Sequence, residues 1–377
     1  MLMIGSLLIQ AVTFLLRPAS AYQALNLDVP AAAIGAIAAT FAVVPLVLAL
    51  PLGGFVDRLG ATLLLRIGSV IVLGASTVLL LLDRSVAGLI AGNALLGAGH
   101  LCCIVSQQTL VADGADHSRL DAVFGYYTFA ASLGQAVGPA LIATLGGTQV
   151  QLDTGPVFLA GMVLSVLLVA SSLVTRSSRG IESGDAPVSA MSTRVLLRTP
   201  GLKGAIATSA LIVSAVDLTL VYLPALGAER QFTAATVGAL LSVRALTSMA
   251  SRLLLGTMSR RFGRSRVMVS SIVISAATLG AAAMPMPVCL LFVVVALLGL
   301  GLGVGQPLTM SWVSERAPRG QRGKALSIRL AGNRVGQVGI PAATGVVAAG
   351  LGASGVLGAM ALIVGSTLWL MRGSRLD

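Results

Sequence analysis

Ionisable side chains interrupt the long apolar runs of this sequence, and they are its best candidates for chemistry. Asp217 is the one acid among thirteen that falls well inside such a run, whereas Arg17, Arg244, Arg329 and Arg334 are the bases. A charge at the centre of a membrane costs about 2.5–3.5 kcal/mol on insertion scales, so it usually faces a cavity or a partner. A carboxyl group there can bind a proton, and a guanidinium group, which keeps its charge, binds carboxylate or phosphate.

We therefore predict that Asp217 binds a proton and that Arg244 or Arg334 contacts a ligand. Four arginines against one acid make the predicted cavity electropositive, which favours an anionic ligand. The alternative is that Asp217 and an arginine form a buried pair that only fixes helix packing. His100 is the second candidate for proton binding, because imidazole titrates near neutral pH. A histidine following "LLGAG" also suits a packed, hydrogen-bonded role.

Further polar or amphipathic residues within apolar runs are candidates to line the same cavity. The predicted cavity set, arginines included, is Arg17, Tyr22, Gln107, Tyr126, Tyr127, Arg244, Arg329, Asn333 and Arg334.

The elements that carry these residues are predicted to be membrane-spanning helices. The chain of 377 residues is 56% hydrophobic and only 10% charged, too little polar surface to coat a water-soluble protein of this size. Crossing a hydrocarbon core of about 30 Å takes about 20 apolar residues as a helix. We predict twelve spans, at 2–24, 32–52, 61–82, 86–109, 121–146, 155–175, 204–225, 234–255, 265–285, 288–311, 325–349 and 353–371.

The basic residues predict the orientation of these spans. Most of the 25 lysines and arginines fall in alternate connections and the C-terminal tail, and such an excess marks the cytoplasmic side. Both termini are therefore expected in the cytoplasm of a multi-pass protein of the inner membrane. The net charge of +12 then reports topology, and we expect no nucleic-acid partner because the basic residues lie scattered without interleaved aromatics. The apolar N-terminus has no basic flank or cleavage site, so we expect no signal peptide.

The sequence repeats itself. "ALLGAGH" from Ala94 matches "ALLGLGL" from Ala296, and "GQAVGPA" from Gly134 matches "GQVGIPA" from Gly336, at the same offset. Asp113 corresponds to Glu315 at that offset as well. The prediction is an all-α membrane protein of two six-helix bundles, at 1–175 and 204–377, joined by a cytoplasmic linker at 176–203.

Two short glycine-rich loops also match. "GGFVDRLG" follows span 2 and "GTMSRRFGR" follows span 8. With twelve spans in two halves, these loops make the chain resemble the major facilitator superfamily of secondary transporters. The resemblance implies a cytoplasmic gate in which the glycines let helix ends approach and the charges form a latch. By position these residues are Gly53, Asp57, Arg58 and Gly60, and Gly256, Arg260, Arg261 and Gly263. The first copy has Ala61 where the family has a base, and the second has Arg260 where it has the acid, so the first is expected to matter more.

Span 5 carries a further resemblance. Gly125, Gly134, Gly138 and Pro139 fit the G-x8-G-x3-G-P pattern of proton-coupled drug antiporters in that superfamily, although the usual glycine pair after the proline is absent. Asn93 stands where many antiporters have an arginine. Small residues at this spacing also serve plain helix packing.

The sequence therefore predicts a secondary transporter, not an enzyme, that moves a small organic molecule by alternating access. Proton-coupled efflux is the leading interpretation. The alternatives are proton-coupled uptake of a small anionic metabolite and a non-transporting sensor on the same scaffold. The chain has no phosphate-binding loop and no metal-ligand spacing, so we expect no cofactor and no metal. The expected partners are the substrate, protons and the lipid bilayer, and we expect a monomer.

Overall fold

The computed structural model describes residues 1–29, 31–145, 153–175, 193–232, 234–318 and 321–371. These residues are helical with short connections, and no strand occurs among them. The first six long helices are α1 (Leu2–Asn26), α2 (Ala31–Leu59), α3 (Ala61–Leu81), α4 (Val86–Gly114), α5 (Leu120–Leu145) and α6 (Thr154–Val174).

The second six long helices begin after a single turn at Thr193–Leu196. They are α7 (Leu202–Glu229), α8 (Ala234–Phe262), α9 (Arg264–Ala283), α10 (Val288–Arg316), and the stretch Arg322–Met371. Gly352, with φ 60° and ψ −161°, interrupts that stretch, so we number 322–351 as α11 and 353–371 as α12. The prediction of twelve helices in an all-α membrane fold is thus confirmed.

Length and composition suit these helices to a bilayer. Nine of them, within the described residues, are long and apolar enough to cross a membrane. α2 and α5, with 29 and 26 residues, also exceed the length that a hydrocarbon core requires. α4, α8 and α10 each have 29 residues, so they extend past the predicted spans at their C-terminal ends.

The chain divides into two compact units. Unit 1 comprises Met1–Ala115, Tyr127–Ala190 and Arg319–Ser327, and unit 2 comprises Asp116–Tyr126, Met191–Pro318 and Ile328–Asp377. The first turns of α5 and of α11 therefore each pack with the unit that does not hold the rest of their sequence repeat.

Equivalent helices form the centre of each unit. In unit 1, α4 contacts α1, α2 and α3, and its residues His100–Ala112 are buried. In unit 2, α10 contacts α7, α8 and α9, and its residues Leu308–Ser314 are buried. Hydroxyl groups join apolar helices at their contacts, as between Ser76 and Ser165 (2.7 Å) in unit 1.

The last glycine of each repeated loop has the same backbone conformation. Gly60 precedes α3 with φ 88° and ψ 138°, and Gly263 precedes α9 with φ 83° and ψ 143°. A Cβ on either glycine would meet no atom within 4 Å, so the conformation itself requires glycine. Each glycine turns the chain directly from one helix into the next.

Candidate functional site

The predicted proton-binding acid lies in a hydrogen-bonded chain within unit 2. The carboxylate Oδ2 of Asp217 on α7 accepts a hydrogen bond from Nε2 of Gln337 on α11, at 2.5 Å. Gln337 Oε1 in turn accepts from Nη1 of Arg334, one turn earlier on α11, at 3.0 Å. One amide thus joins the acid to a base, and its two ends suit both neighbours. The sequence analysis did not single out Gln337.

Arg244 lies near this chain as a buried cation. Its side chain on α8 is 6% exposed, and it interacts electrostatically with Asp217, as does Arg334. Among the described residues, Nε of Arg244 has no hydrogen-bond partner. A buried donor without a partner costs about 1–3 kcal/mol. An anion that accepted this hydrogen bond would recover that cost.

Arg252 adds a further buried cation that the sequence analysis missed. It lies two turns after Arg244 on α8, and its Nε donates to the carbonyl oxygen of Gly303 on α10 at 3.2 Å. The two guanidinium groups repel each other. Because Arg252 lies near the end of predicted span 8, the sequence suggested that its side chain would be exposed on the cytoplasmic side. In the structure this side chain is only 9% exposed. The interior of unit 2 is thus more positive than predicted.

Two other predicted cavity residues meet through α7. Arg329 Nη1 donates to Ser209 Oγ at 2.9 Å, and Ser209 Oγ donates to Asn333 Oδ1 at 2.9 Å. Arg329 is completely buried. The aliphatic part of its side chain therefore does not extend the guanidinium into water. The guanidinium is instead hydrogen-bonded within a polar network of residues on α7 and α11.

Unit 1 holds His100 in a chain of contacts that ends at a cavity. Thr13 on α1 donates its hydroxyl hydrogen to the Ile9 carbonyl at 2.7 Å and lies 2.9 Å from His100 Nδ1. Because a hydroxyl has one hydrogen, Nδ1 of His100 is the donor of the second bond. The His100 ring packs edge-on against the ring of Phe41. The Arg17 guanidinium lies 4.2 Å from the centre of the Phe41 ring.

The predicted tyrosines separate into two kinds. Tyr127 is buried and donates to Gln107 Oε1 at 3.3 Å, whereas Tyr22 and Tyr126 are 45% and 49% exposed. The structure thus brings Gln107 and Tyr127 together in unit 1.

Ion pairs lie at the ends of helices that the sequence places on the cytoplasmic side. In unit 2, Arg264 Nε donates to Asp121 Oδ2 at 2.9 Å, and Arg264 Nη1 pairs with Glu315. In unit 1, Arg322 Nη1 pairs with Asp113 Oδ1 at 3.1 Å and donates to the Ala112 carbonyl at 2.7 Å. Asp113 and Glu315 are the matched acids of the two repeats. In unit 1 the base Arg322 comes from the second repeat, whereas in unit 2 the acid Asp121 comes from the first repeat.

These ion pairs differ from the expected latch. In the first loop Arg58 is exposed, and the surroundings of Gly53 and Asp57 lie outside what the structure describes. In the second loop, the contact described for Arg260 is a hydrogen bond to Thr257, and Arg261 lies over the ring of Phe262. Arg264, directly after Gly263, is the base that binds two acids. Ala61 occupies its place in the first loop, which is the signal that could have identified Arg264.

The glycines of α5 and α8 permit close helix packing. A Cβ on Gly134 would strike the Leu7 carbonyl of α1, and one on Gly138 would strike the Phe14–Leu15 peptide. A Cβ on Gly125 would strike the Arg252 carbonyl, and one on Gly256 would strike Ala122. Pro139 lies inside α5 with an exposed ring. Close packing therefore accounts for the three glycines of the antiporter-like pattern.

Comparison with known proteins identifies the architecture. The family model described as "Major Facilitator Superfamily" matches residues 2–233 and 206–375. No curated protein sequence matches the chain. Among solved structures, the chain is similar to a human organic anion transporter, with 16% identity over 98% of both chains and a TM-score of 0.81. It is similar to the E. coli fucose:proton symporter, with 15% identity over 99% of this chain and 98% of that one and a TM-score of 0.82. It is also similar to a proton:xylose symporter, with 16% identity over 98% of this chain and 94% of that one and a TM-score of 0.73.

Proposed function

The chain belongs to the major facilitator superfamily, and from that premise we propose that it is a secondary transporter that couples protons to the movement of a small organic anion. Asp217 binds the proton, and Arg244 and Arg334 bind the anion. The observation that carries this proposal is that Arg244 and Arg334 both act on Asp217 while Nε of buried Arg244 has no hydrogen-bond partner among the described residues.

Charge links the two binding events. An ionised Asp217 offsets part of the positive charge of Arg244 and Arg334, so it lowers their attraction for an anion. A proton on Asp217 removes that offset and weakens the bond from Gln337, which leaves Arg334 available to the anion. By thermodynamic linkage the anion then raises proton affinity by the same factor.

This linkage gives the direction of coupling. A proton and an anion that favour each other's binding move together, so an inward proton gradient drives uptake of the anion. Among the similar structures, the fucose and xylose proteins are proton symporters and the human protein is an organic anion transporter. Those properties belong to them, and they support the proposal here only as precedents on the same fold.

Proton-coupled efflux is the second candidate, and the glycine pattern of α5 favours it. Efflux against an inward proton flow requires the cargo and the proton to compete for one site. A cationic cargo that pairs with Asp217 would do so. The charge of the cargo therefore distinguishes the candidates, with an anion giving uptake and a cation giving efflux.

The ion pairs at the helix ends supply the gate in this proposal. Arg264 with Asp121 and Glu315, and Arg322 with Asp113, each join segments of both sequence repeats, so their making and breaking accompanies alternating access. Asp57 and Arg58 of the first loop remain proposed members of the same gate. We also propose that the protein is a monomer of the inner membrane with both termini in the cytoplasm, as the basic connections indicate.

Reconstitution tests this function. Purified protein in liposomes with a pH-sensitive dye inside is challenged with acetate, lactate, benzoate and, separately, with cationic dyes. The proposal expects anion-dependent acidification of the lumen in the wild type. It expects only the response of protein-free liposomes in Asp217→Asn, and a wild-type response in Asp83→Asn, the same change in the loop between α3 and α4. Alkalinisation on adding an external cationic dye, which enters as protons leave, would support proton–cation exchange and hence efflux instead, and an absence of flux with every compound would favour a sensor.

A further inference from the structure

Unit 1 contains a cavity whose lining residues indicate the chemical class of its ligand. Its volume is about 230 Å³, and it is lined by Thr13, Phe14, Arg17, Pro18 and Asn93. Sites for drug-sized ligands usually measure about 300–1,000 Å³. This cavity therefore suits a compound with few heavy atoms.

Pro18 changes the hydrogen bonding of Phe14, another residue of the cavity wall. It lies inside α1 and has no N–H, so the carbonyl of Phe14, four residues earlier, receives no α-helical hydrogen bond. Phe14, Arg17 and Pro18 occupy one face of α1 because they are spaced by three and four residues. A cationic donor and a freed carbonyl acceptor thus lie side by side.

The other polar groups of the cavity are committed elsewhere. Asn93 Nδ2 donates to Ser20 Oγ and to the Leu89 carbonyl, both at 2.9 Å. The Thr13 hydroxyl donates to the Ile9 carbonyl. The Arg17 guanidinium lies 4.2 Å from the centre of the Phe41 ring, in a cation–π contact, and its planar donor pair suits a carboxylate.

We propose that this cavity binds a small 2-hydroxy carboxylate. Its carboxylate pairs with Arg17, and its hydroxyl, on the adjacent carbon, donates to the Phe14 carbonyl. An amino group at that carbon would also donate, but it carries a positive charge beside Arg17, and none of the described lining residues is an acid. The hydroxy acid is therefore preferred over the amino acid. The inference goes beyond the proposed function, because it places this ligand against Arg17 in unit 1, whereas Arg244 and Arg334 belong to unit 2.

Ligand affinity of the purified full-length protein tests the inference without a membrane or a gradient. Calorimetric titrations use lactate, propanoate, 2-methoxypropanoate and alanine. The wild type is expected to bind lactate about tenfold more tightly than propanoate, the worth of one additional hydrogen bond. 2-Methoxypropanoate, which lacks the donor, should bind no better than propanoate, and alanine should bind more weakly than lactate.

Two variants then separate the two contacts. Arg17→Gln should lower the affinity for lactate and propanoate alike by about tenfold or more, whereas Arg84→Gln, in the exposed loop between α3 and α4, should change neither. Pro18→Ala restores an N–H that bonds the Phe14 carbonyl, so it should bring the lactate and propanoate affinities within about twofold of each other without weakening propanoate.

Equal binding of lactate and 2-methoxypropanoate by the wild type would overturn the inference. This comparison needs no variant, so it remains informative even if a variant fails to fold. A full lactate preference in folded Pro18→Ala would do so as well. If the protein binds the compounds with the expected preferences but transports no protons, the proposed function is refuted and this inference is supported. Proton-coupled anion transport with an unchanged preference in Pro18→Ala would do the reverse.

Discussion

The carboxylate of Asp217 on α7 accepts a hydrogen bond of 2.5 Å from the amide of Gln337 on α11. The same amide accepts from Arg334 at 3.0 Å, so a change of charge on the acid reaches the base through one side chain. In a membrane interior this is an economical way to make anion binding depend on a proton, because all three groups keep hydrogen-bond partners in the ionised state.

Replacing Gln337 should weaken this communication. In Gln337→Leu the amide is lost, so protonation of Asp217 no longer releases Arg334. Wild-type affinity for the anion should fall as pH rises, because an ionised Asp217 offsets the arginines. The variant should show a shallower fall, measured by titration calorimetry at several pH values. An equal slope in both proteins would mean that the amide plays no part.

Arg244 should contribute to anion affinity directly. Arg244→Gln removes a charge-assisted hydrogen bond, which is worth about 1.5–3 kcal/mol, and should raise Kd for the anion accordingly. Arg244→Lys keeps the charge but loses the planar donor pair, so an intermediate Kd is expected. Arg84→Gln is the matched control in an exposed loop. Wild-type affinity in folded Arg244→Gln would remove Arg244 from the site.

The described ion pairs predict that Arg264 matters more than its neighbour Arg260. Arg264→Gln leaves Asp121, whose side chain is 7% exposed, without its cation. Removing one partner of a buried pair costs about 3–5 kcal/mol, so cytoplasmic closure should weaken and flux should fall. Arg260→Gln should be mild because Arg260 is exposed. Flux at constant expression and labelling of cysteines near the helix ends measure both effects, and equal phenotypes would contradict this assignment.

Asp57→Asn tests the first loop. The substitution keeps the size of the side chain and removes its charge, so transport should fall while expression stays near normal if Asp57 belongs to the gate. Flux in liposomes normalised to protein content is the measurement. Unchanged flux would leave the first loop as a tight turn set by Gly60.

The orientation of the chain can be tested separately. A cysteine at Arg261 should react with a membrane-impermeant reagent only from the cytoplasm, and one at Asp153 only from outside. The background should carry Cys289→Ser, because Cys289 is exposed whereas Cys102 and Cys103 are buried. Labelling of both sites from one side would refute the predicted topology.

Local patterns in the sequence predicted the scaffold well. Apolar length predicted the twelve helices, and the matched loops predicted equivalent turns, which Gly60 and Gly263 confirm by their shared positive φ. These features depend on residues close together in the chain. Periodicity and spacing are therefore sufficient to find them.

The partners within the site depended on tertiary packing and escaped the same reasoning. Gln337 is an ordinary polar residue until α11 places it against Asp217, and Arg252 is a surface base until α10 covers it. Arg264 was hidden for a different reason, because the expected latch was centred on the position of Arg260. In the sequence, the only indication of a role for Arg264 is that the first loop has Ala61 at the matching position.

The most direct test of the central claim compares two kinds of flux in Asp217→Asn. In liposomes with an inward proton gradient, we expect this variant to fail to accumulate the anion, because no group takes up the coupling proton. We also expect exchange of labelled for unlabelled anion at equal pH to continue, because Arg244 and Arg334 still bind it. Accumulation against a gradient by Asp217→Asn would contradict the account and would point to His100 as the proton-binding residue.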